Sequence, residues 1–342
     1  MKKRYTIKDI AREAGVHAST VSRALDPNST TSLSDEVSER IHATVEKMGY
    51  RPNRLAVGLR TNRSLSVGIM IPDITNTLFP PIVRGIESVL EPLGYTSIIV
   101  NTDNIPEREN RLLDVLRERG VDGIINGAAL RDDPKISEIA AMGVPIVALN
   151  RKIDNSDIPY VINDEAHGIK LILEYLYGLG HRNIGHIAGS QSLSTGQLRL
   201  IAFKEACADL GLDVDEKKIA ISTRFDEEEG YRCAEQLIND NPGLTAIQCA
   251  NDRLALGALK YLSENGLECP GDVSVTGFND IPFLNLIPTK LTTIRIQQYE
   301  AGRTCARLLL SMMNKSDDKV PNETILPVEL VVRESVAPPK AS

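Results

Sequence analysis

The 342-residue chain has few cysteines and none of the patterns in which cysteine carries chemistry. The cysteines are odd in number, scattered and without a CxxC pair; they are Cys207, Cys233, Cys249, Cys269 and Cys305. This usage excludes a disulfide framework and a cysteine-rich metal site. We expect reduced thiols in a cytosolic protein, with no metal and no cofactor.

The chain also lacks a long hydrophobic run and a recognisable signal peptide. A helix that crosses a membrane needs about 20 consecutive apolar residues, and a secretory signal needs a basic start followed by an apolar core. Because neither pattern is present, we expect a soluble cytoplasmic protein that makes no contact with a membrane.

Motifs typical of several enzyme classes are missing as well. No GxGxxG follows a predicted strand, and the chain contains no GxxxxGK[ST], no GxSxG and no paired His/Cys ligands. His167, His181 and His186 fall at predicted helix ends or on strands, where a structural role is the simpler interpretation. We therefore expect no catalytic residues and no enzyme activity.

Positive charge is concentrated at one end of the chain. The whole chain has a net charge of −7, which by itself argues against nucleic-acid binding. Residues 1–63, however, contain twelve Lys and Arg against seven Asp and Glu, whereas the remainder contains 27 against 39. A small basic head on a large acidic body is typical of a DNA-binding protein that carries a second module. A chance run of basic residues would explain only Lys2–Arg4.

The stretch Thr6–Leu25, TIKDIAREAGVHASTVSRAL, predicts two short helices joined by a tight turn. Apolar residues recur every three or four positions in its first half, as on one face of a helix. Thr6, followed three positions later by Asp9, matches a capping box. Gly15 supplies the left-handed residue with which many helices end.

The second of these helices runs from His17 or Ala18 to Leu25 and leaves a polar outer face. That face carries Ala18, Ser19, Ser22 and Arg23. In a helix-turn-helix the second helix enters the DNA major groove, where an arginine that pairs with guanine gives about 1–3 kcal/mol of base discrimination. The alternative is an ordinary helical hairpin with a solvated face.

A third helix is predicted from an N-cap at Ser34 to a closing Gly49, with an apolar stripe between them. The three helices form a headpiece over residues 1–50. Residues 51–64 follow; they are basic and include an apolar Leu59. This segment is either a plain linker or, as we favour, a hinge that is too short to be a stable helix alone and becomes helical on DNA and a partner copy.

From residue 65 the pattern changes to buried strands that alternate with amphipathic helices, from SVGIMIP through PIVAL and TAIQC to DVSVTGF. This alternation predicts parallel α/β sheets flanked by helices. The strands are too many for one sheet, so we expect two lobes with a ligand cleft at the C-terminal strand ends. The expected bounds are 65–163 with 295–323 for the first lobe, 164–292 with 324–335 for the second, and 336–342 for a flexible tail.

Five segments in this order resemble the lactose-repressor (LacI/GalR) family of transcriptional regulators. They are the helix-turn-helix stretch above, YRPNRLAVGLR, SVGIMIPDITNTLFPPIVRGIE, ANDRLALGAL and DVSVTGFND. The resemblance covers residues 5–335. It implies a sequence-specific DNA-binding repressor with a body of the periplasmic-binding-protein type, whose operator affinity is controlled by a sugar, polyol or related metabolite bound between the lobes.

The resemblance also implies which residues contact DNA. Ala18 and Ser19 would select bases, Arg23 would read guanine, and Leu59 would insert as a wedge between central base pairs. His17 stands where the family usually has a serine cap, and packing of Leu59 on the body is the alternative to the wedge. The expected contacts are Thr6, Ile7, Lys8, His17, Ala18, Ser19, Thr20, Ser22, Arg23, Asn53, Arg54, Ala56 and Leu59.

The effector cleft implied by the resemblance combines two aromatic faces with amide, hydroxyl and charged side chains. Its expected residues are Leu78, Phe79, Asn150, Arg151, Thr195, Arg199, Phe225 and Asp252. This set suits a sugar, a polyol or a nucleobase-like metabolite. Three alternatives stay open: Arg199 and Asp252 pair with each other across the cleft, Phe225 belongs to the core, or Arg151 is a solvated charge at the rim.

The mechanism implied by the resemblance is allosteric. Two protomers would hold two heads at the spacing of a pseudo-palindromic operator, and the effector would act through its different affinity for the DNA-bound and free states, typically a coupling of about 1–3 kcal/mol. The absence of C-terminal leucine heptads favours a dimer over a tetramer. A solute-binding transport protein is one alternative, but it would need an export signal. The more serious alternative is a regulator of the same family whose body responds to a phosphoprotein partner as well as, or instead of, a metabolite. The residues leave open whether the effector induces or co-represses, and whether a protein co-regulator also binds.

Overall fold

The computed structural model describes residues 5–25, 33–50, 63–314 and 320–340. The chain divides into two compact units, Met1–Ser64 and Leu65–Ser342, called here the head and the body. The greater part of the expected hinge lies outside the described residues. The expected DNA contacts Asn53, Arg54, Ala56 and Leu59 lie there too, and they stay predictions.

The head contains the three predicted helices. They are α1 (Ile7–Ala14), α2 (Ala18–Ala24) and α3 (Asp35–Met48). The capping box is confirmed, because the Thr6 hydroxyl accepts a hydrogen bond from the Asp9 N–H and the Asp9 carboxylate accepts one from the Thr6 N–H. The three helices pack around a small apolar core that includes the fully buried Ile10, Val21 and Ile41.

Glycines end two of the head helices, as predicted. Gly15 has a φ of 64° after α1 and Gly49 has a φ of 59° after α3, a region that residues with a Cβ rarely adopt. Helix α2 begins with His17 as its N-cap, and the imidazole Nδ1 accepts a hydrogen bond of 3.3 Å from the Ser19 N–H. A histidine can therefore replace the usual serine at this cap.

The body alternates strands and helices. Its strands are β1 (Ser66–Ile71), β2 (Thr96–Asn101), β3 (Gly123–Asn126), β4 (Ile146–Leu149), β5 (Tyr160–Asn163), β6 (Ile184–Ala188), β7 (Ile219–Ile221), β8 (Ala246–Cys249), β9 (Ser274–Thr276), β10 (Thr293–Arg295), β11 (Glu323–Leu326) and β12 (Glu329–Val331). Its helices are α4 (Phe79–Leu90), α5 (Pro106–Glu118), α6 (Pro134–Ala141), α7 (Glu165–Gly178), α8 (Ser194–Asp209), α9 (Glu227–Asp240), α10 (Asp252–Glu264) and α11 (Gln298–Met313).

These strands form two parallel sheets, which define two lobes and confirm the predicted architecture. The first lobe has the order β11-β5-β4-β3-β1-β2 and the second has the order β7-β6-β8-β9. Strands β10 and β12 pair antiparallel as a separate ribbon. Because neighbouring strands run parallel, for example with Met70 of β1 beside Asn126 of β3, their C-terminal ends meet at one edge of each sheet.

Helices α4 and α11 pack closely on the first lobe. A Cβ atom at Gly85 would lie 2.0 Å from the carbonyl oxygen of Tyr299, and one at Gly302 would lie 2.0 Å from that of Ile82. Only glycine allows the two backbones to approach so closely. This contact brings the chain after residue 295 back to the first lobe, as expected.

The structure differs from the expected lobe bounds near the C-terminus. The segment ETILPVELVVR forms two strands, since Pro327 lacks the N–H that a continuous ladder needs. The first of them, β11, pairs with β5, so residues 324–326 belong to the first lobe and not to the second. Strands β5 and β10 did not appear in the prediction.

The expected flexible tail is attached to the second lobe as far as Lys340. The Ala337 carbonyl accepts hydrogen bonds from His181 Nε2 at 2.9 Å and from Ser274 Oγ at 3.2 Å, and the Lys340 ammonium lies 2.5 Å from the Asp272 carboxylate. The expectation of a free tail is therefore wrong for residues 336–340.

None of the helices in the described ranges is both long enough and apolar enough to pass through a bilayer. The five cysteines are free thiols, as expected, and four of them are buried. Burial raises the pKa of Cys207 and of Cys233 to about 11. These thiols are therefore poor nucleophiles at neutral pH.

Candidate functional site

A cleft between the two lobes contains a cavity of about 390 Å³. Asn150, Asn251 and Asn279 line it. They lie one to three residues after the ends of β4, β8 and β9, at the C-terminal edges of the sheets. This is where ligands bind in parallel α/β folds. Seven of the eight predicted effector residues line the cavity: Leu78, Phe79, Asn150, Arg151, Thr195, Arg199 and Phe225.

Aromatic and aliphatic groups form parts of both walls. Leu78 and Phe79, at the start of α4, are 4% and 2% exposed and also belong to the core of the body. Phe225 is half-buried, faces the cavity and packs on the core of the second lobe, so it has both roles that the sequence left open. A Cβ atom at Gly189 would lie 2.1 Å from the Phe225 ring, which explains the glycine there.

The first lobe contributes a buried cation after β4. Asn150 has a φ of 60°, and the next residue, Arg151, is 6% exposed with its Nη1 donating a hydrogen bond of 2.7 Å to the Ala128 carbonyl. Burial lowers the pKa of Arg151 to about 10, and the nearby charge of Glu109 opposes this shift. The interpretation of Arg151 as a solvated rim charge is therefore wrong.

Arg199 of α8 is the buried cation of the second lobe. Its Nε donates a hydrogen bond of 2.5 Å to Glu165 Oε2, its Nη1 donates one of 2.5 Å to the Ala250 carbonyl, and its guanidinium carbon lies 3.8 Å from the centre of the Phe278 ring. The ion pair partner is Glu165 and not Asp252, so the alternative of an Arg199–Asp252 pair across the cleft is wrong.

Asp252 does not line the cavity, which corrects its expected role. Its carboxylate is fully buried and accepts hydrogen bonds from the Ile281 N–H at 2.9 Å and from Thr293 Oγ1 at 2.5 Å. Its neighbour Asn251 faces the cavity and caps α10 through the Leu254 N–H. Asn251 is the N-cap and has an extended backbone, whereas Asp252 is the first helical residue, so the two side chains point in different directions.

Most of the other residues that line the cavity were not predicted, and three of them illustrate the signal that was available. Asp73, Asn251 and Asn279 are polar, and they come shortly after β1, β8 and β9. The available signal was this position, because polar residues at the C-terminal ends of parallel strands converge on one edge.

An ion-pair cluster joins the two lobes at the cleft. Arg253 of α10 donates to both carboxylate oxygens of Glu227 at 2.8 and 2.7 Å, and to Asp73 of the first lobe at 2.9 Å. Asp73 is itself fixed by the Thr75 N–H at 2.8 Å. We call Asp73, Arg253 and Glu227 the cleft latch.

In the head, the described DNA-contact candidates lie on α2 and at the start of α1. Ser19 and Arg23 are exposed, with Arg23 Nε donating a hydrogen bond of 3.3 Å to the Ser19 carbonyl. Ala18 and Ile7 are half-buried and pack on the head core. The remaining candidates are exposed or half-buried: Thr6, Lys8, His17, Thr20 and Ser22.

The head and the body each match a protein family. A model of the bacterial regulatory proteins of the lacI family matches residues 6–53, and a model of the periplasmic binding protein-like domain matches residues 173–336. A ribose operon repressor of Halalkalibacterium halodurans is 32% identical over 96% of this chain and 96% of its own. These matches cover both units of the chain.

Solved structures resemble the chain as well. A lac repressor dimer bound to operator and an anti-inducer has a TM-score of 0.86 and 28% identity, over 98% of this chain and all of that one. A LacI-family transcriptional regulator from Enterococcus faecium with bound ribose has a TM-score of 0.70 and 30% identity, over 80% of this chain and all of that one. The chain therefore belongs to the lacI family of bacterial regulatory proteins, which are DNA-binding transcriptional regulators and not enzymes.

Proposed function

We propose that this regulator is a repressor whose operator affinity is controlled by a neutral sugar or polyol bound in the cleft between its lobes. The observation that carries the proposal is the cavity of about 390 Å³ at the C-terminal strand ends, with apolar walls and convergent polar groups. Such composition is typical of small-molecule sites. The ribose named for the Halalkalibacterium relative and bound in the Enterococcus structure supports a carbohydrate ligand.

The proposed unit on DNA is a homodimer in the cytoplasm that binds a pseudo-palindromic operator. Phe283 and Leu286 support a partner copy. They are 65% and 73% exposed on the second lobe and lie in one turn, in which the Leu286 N–H donates to the Phe283 carbonyl at 2.9 Å, and neighbouring exposed apolar side chains mark interaction surfaces. The related lac repressor was solved as a dimer on operator.

A thermal-shift screen of the full chain tests the effector. The compounds are sugars, polyols, sugar phosphates, sugar acids and nucleobases. A ligand at a hundred times its Kd should stabilise the body by about 2.7 kcal/mol and raise its melting temperature. Arg199→Ala should abolish this increase in melting temperature. Arg232→Ala, a change outside the cavity, should keep it. If no compound binds and a protein co-regulator changes operator affinity instead, the proposed effector class is wrong.

Arg23→Ala is expected to reduce specific DNA binding. Arg23 is exposed on α2, and the loss of a bidentate guanine contact costs about 1–3 kcal/mol, or roughly 5–150-fold in affinity. The measurement compares an operator selected from random-sequence DNA with unselected DNA of the same length. Arg12→Ala, which removes an exposed arginine of α1, should leave the ratio of the two affinities unchanged. Equal losses on both DNAs would exclude base recognition by Arg23.

Asp73→Asn is expected to speed ligand release from the cleft. The variant removes the attraction between Asp73 and Arg253, a partly exposed pair worth about 0.5–1 kcal/mol, so the dissociation rate should rise about two- to fivefold. Salt should accelerate release from the wild type more than from the variant, because salt screens the latch. Asp132→Asn, an exposed change in the same lobe, should release ligand at the wild-type rate; no difference between the two variants would contradict a role of the latch.

A further inference from the structure

The guanidinium groups that the second lobe directs to the cavity all have carboxylate partners. Arg253 pairs with Glu227 and Asp73 in the cleft latch. Arg224 Nε lies 2.6 Å from Asp226, and Arg199 pairs with Glu165. The charges of these three arginines are therefore balanced by carboxylates, whereas Arg151 of the first lobe, which also lines the cavity, donates to the Ala128 carbonyl.

The pair of Arg199 and Glu165 differs from the other two because it is buried. The side chains are 2% and 3% exposed, and 2.5 Å separates Arg199 Nε from Glu165 Oε2. Arg199 faces the cavity, whereas Glu165 lies behind it in the first turn of α7. The second carboxylate oxygen, Glu165 Oε1, is buried and accepts no hydrogen bond in the described part of the chain. The carboxylate thus has one principal partner, Arg199.

The surroundings of Arg199 leave a limited part of its guanidinium for a ligand. Nε is used by Glu165 and Nη1 by the Ala250 carbonyl, while one face lies on the Phe278 ring. Nη2 has only a long contact of 3.5 Å with Asn279 Oδ1. A ligand hydroxyl can accept a hydrogen bond from this nitrogen without changing the charge balance, whereas a ligand carboxylate would place a second anion beside a cation that Glu165 already neutralises.

We propose that Glu165, which does not line the cavity, determines the charge class of the effector. By neutralising Arg199 and fixing its orientation, it makes the cleft selective for neutral polyhydroxyl ligands over their carboxylated counterparts. Glu165 is a positioning residue, since it acts through Arg199. This inference rests on the proposed function of the cleft as an effector site.

The test is a change of ligand preference in Glu165→Gln, which keeps the shape of the side chain and removes its charge. Arg199 is then a buried cation without a counter-ion, and a carboxylated ligand can supply one. The probes are matched pairs: D-ribose with D-ribonate, D-glucose with D-gluconate, and D-galactose with D-galactonate. Calorimetry on the full chain gives the ratio of the two Kd values for each pair.

The wild type should bind the neutral member of a pair more tightly. In Glu165→Gln the ratio should move toward the acid by about tenfold or more, an amount equivalent to 1.4 kcal/mol. Glu165→Asp retains the negative charge and should therefore keep the wild-type preference for the neutral ligand. A purely structural role of the side chain would instead predict that both substitutions change the preference. Glu174→Gln, a half-exposed change on the same helix, should keep the wild-type ratio.

Each other outcome overturns the inference. A wild type that prefers the acid contradicts it, as does a Glu165→Gln protein that binds a neutral sugar with an unchanged ratio; both results leave the effector site in place. If no member of any pair binds to the wild type or to a variant, the neutral-sugar assignment falls together with the inference. Retained DNA binding and far-UV circular dichroism show that the variants are folded.

Discussion

Lowering the pH from 7 to 4 is expected to remove about 3 kcal/mol of the body's folding free energy through His186 alone. His186 of β6 is fully buried, and its Nε2 has no hydrogen-bond partner among the described residues. Burial lowers its pKa from 6.5 to about 4. Because the unfolded chain binds the proton first, this stability is complete above pH 6.5 and is lost as the pH falls toward 4.

The measurement is chemical unfolding of the full chain at several pH values. The free energy of unfolding is taken from the transition of the body. His186→Asn can keep the hydrogen bond to the Gln248 carbonyl, which the imidazole makes through Nδ1 at 3.1 Å, and it cannot titrate. We expect it to reduce the acid sensitivity of the body. His167→Asn, an exposed change in the same lobe, should leave the sensitivity as it is. An equal pH dependence in wild type and His186→Asn would exclude the buried imidazole as the cause.

The elements that the sequence predicted well are those with strong local signals. Thr6, Asp9 and Gly15 define α1 without help from the rest of the chain, and the long buried strands of the body stand out by composition. Strands β5 and β10 were not predicted, although β3 and β7 have the same lengths of four and three residues and were predicted, so length alone does not explain the difference. Strand β11 joins the first lobe through its pairing with β5, a contact between residues about 160 positions apart.

The prediction of the site was limited in the same way, by contacts that only the fold determines. The positions after the strands indicated a cleft, and the family resemblance supplied seven of the residues that line it. The partner of Arg199 could not be predicted, because Glu165 and Asp252 are both distant in sequence and only the fold decides which of them lies beside the guanidinium. The difference between Asn251 and Asp252 depends on which of them is the N-cap of α10 and which is its first helical residue. Spacing alone does not determine at which residue the helix begins.

Replacing Asp252 by asparagine is expected to change the pH dependence in the direction opposite to that of His186→Asn. Burial raises the pKa of Asp252 from 3.8 to about 6. The folded body therefore binds this proton more strongly than the unfolded chain does, and the contribution is complete below pH 3.8 and is lost as the pH rises through 6. Its size is about 3 kcal/mol. Asp252→Asn should accordingly make the body more sensitive to acid than the wild type.

The contributions of the two buried groups to the pH dependence thus oppose each other between pH 4 and pH 6.5, so the single variants separate effects that the wild type shows only in sum. The same variant tests the corrected role of Asp252. Because its carboxylate binds the Ile281 N–H and Thr293 Oγ1 and does not reach the cavity, Asp252→Asn should bind a ligand found by the screen within about threefold of the wild-type Kd, less than 1.4 kcal/mol. Asp240→Asn, an exposed change in the same lobe, controls for loss of a carboxylate. If Asp252→Asn abolished ligand binding while the body remained folded, the carboxylate would have to act in the effector site.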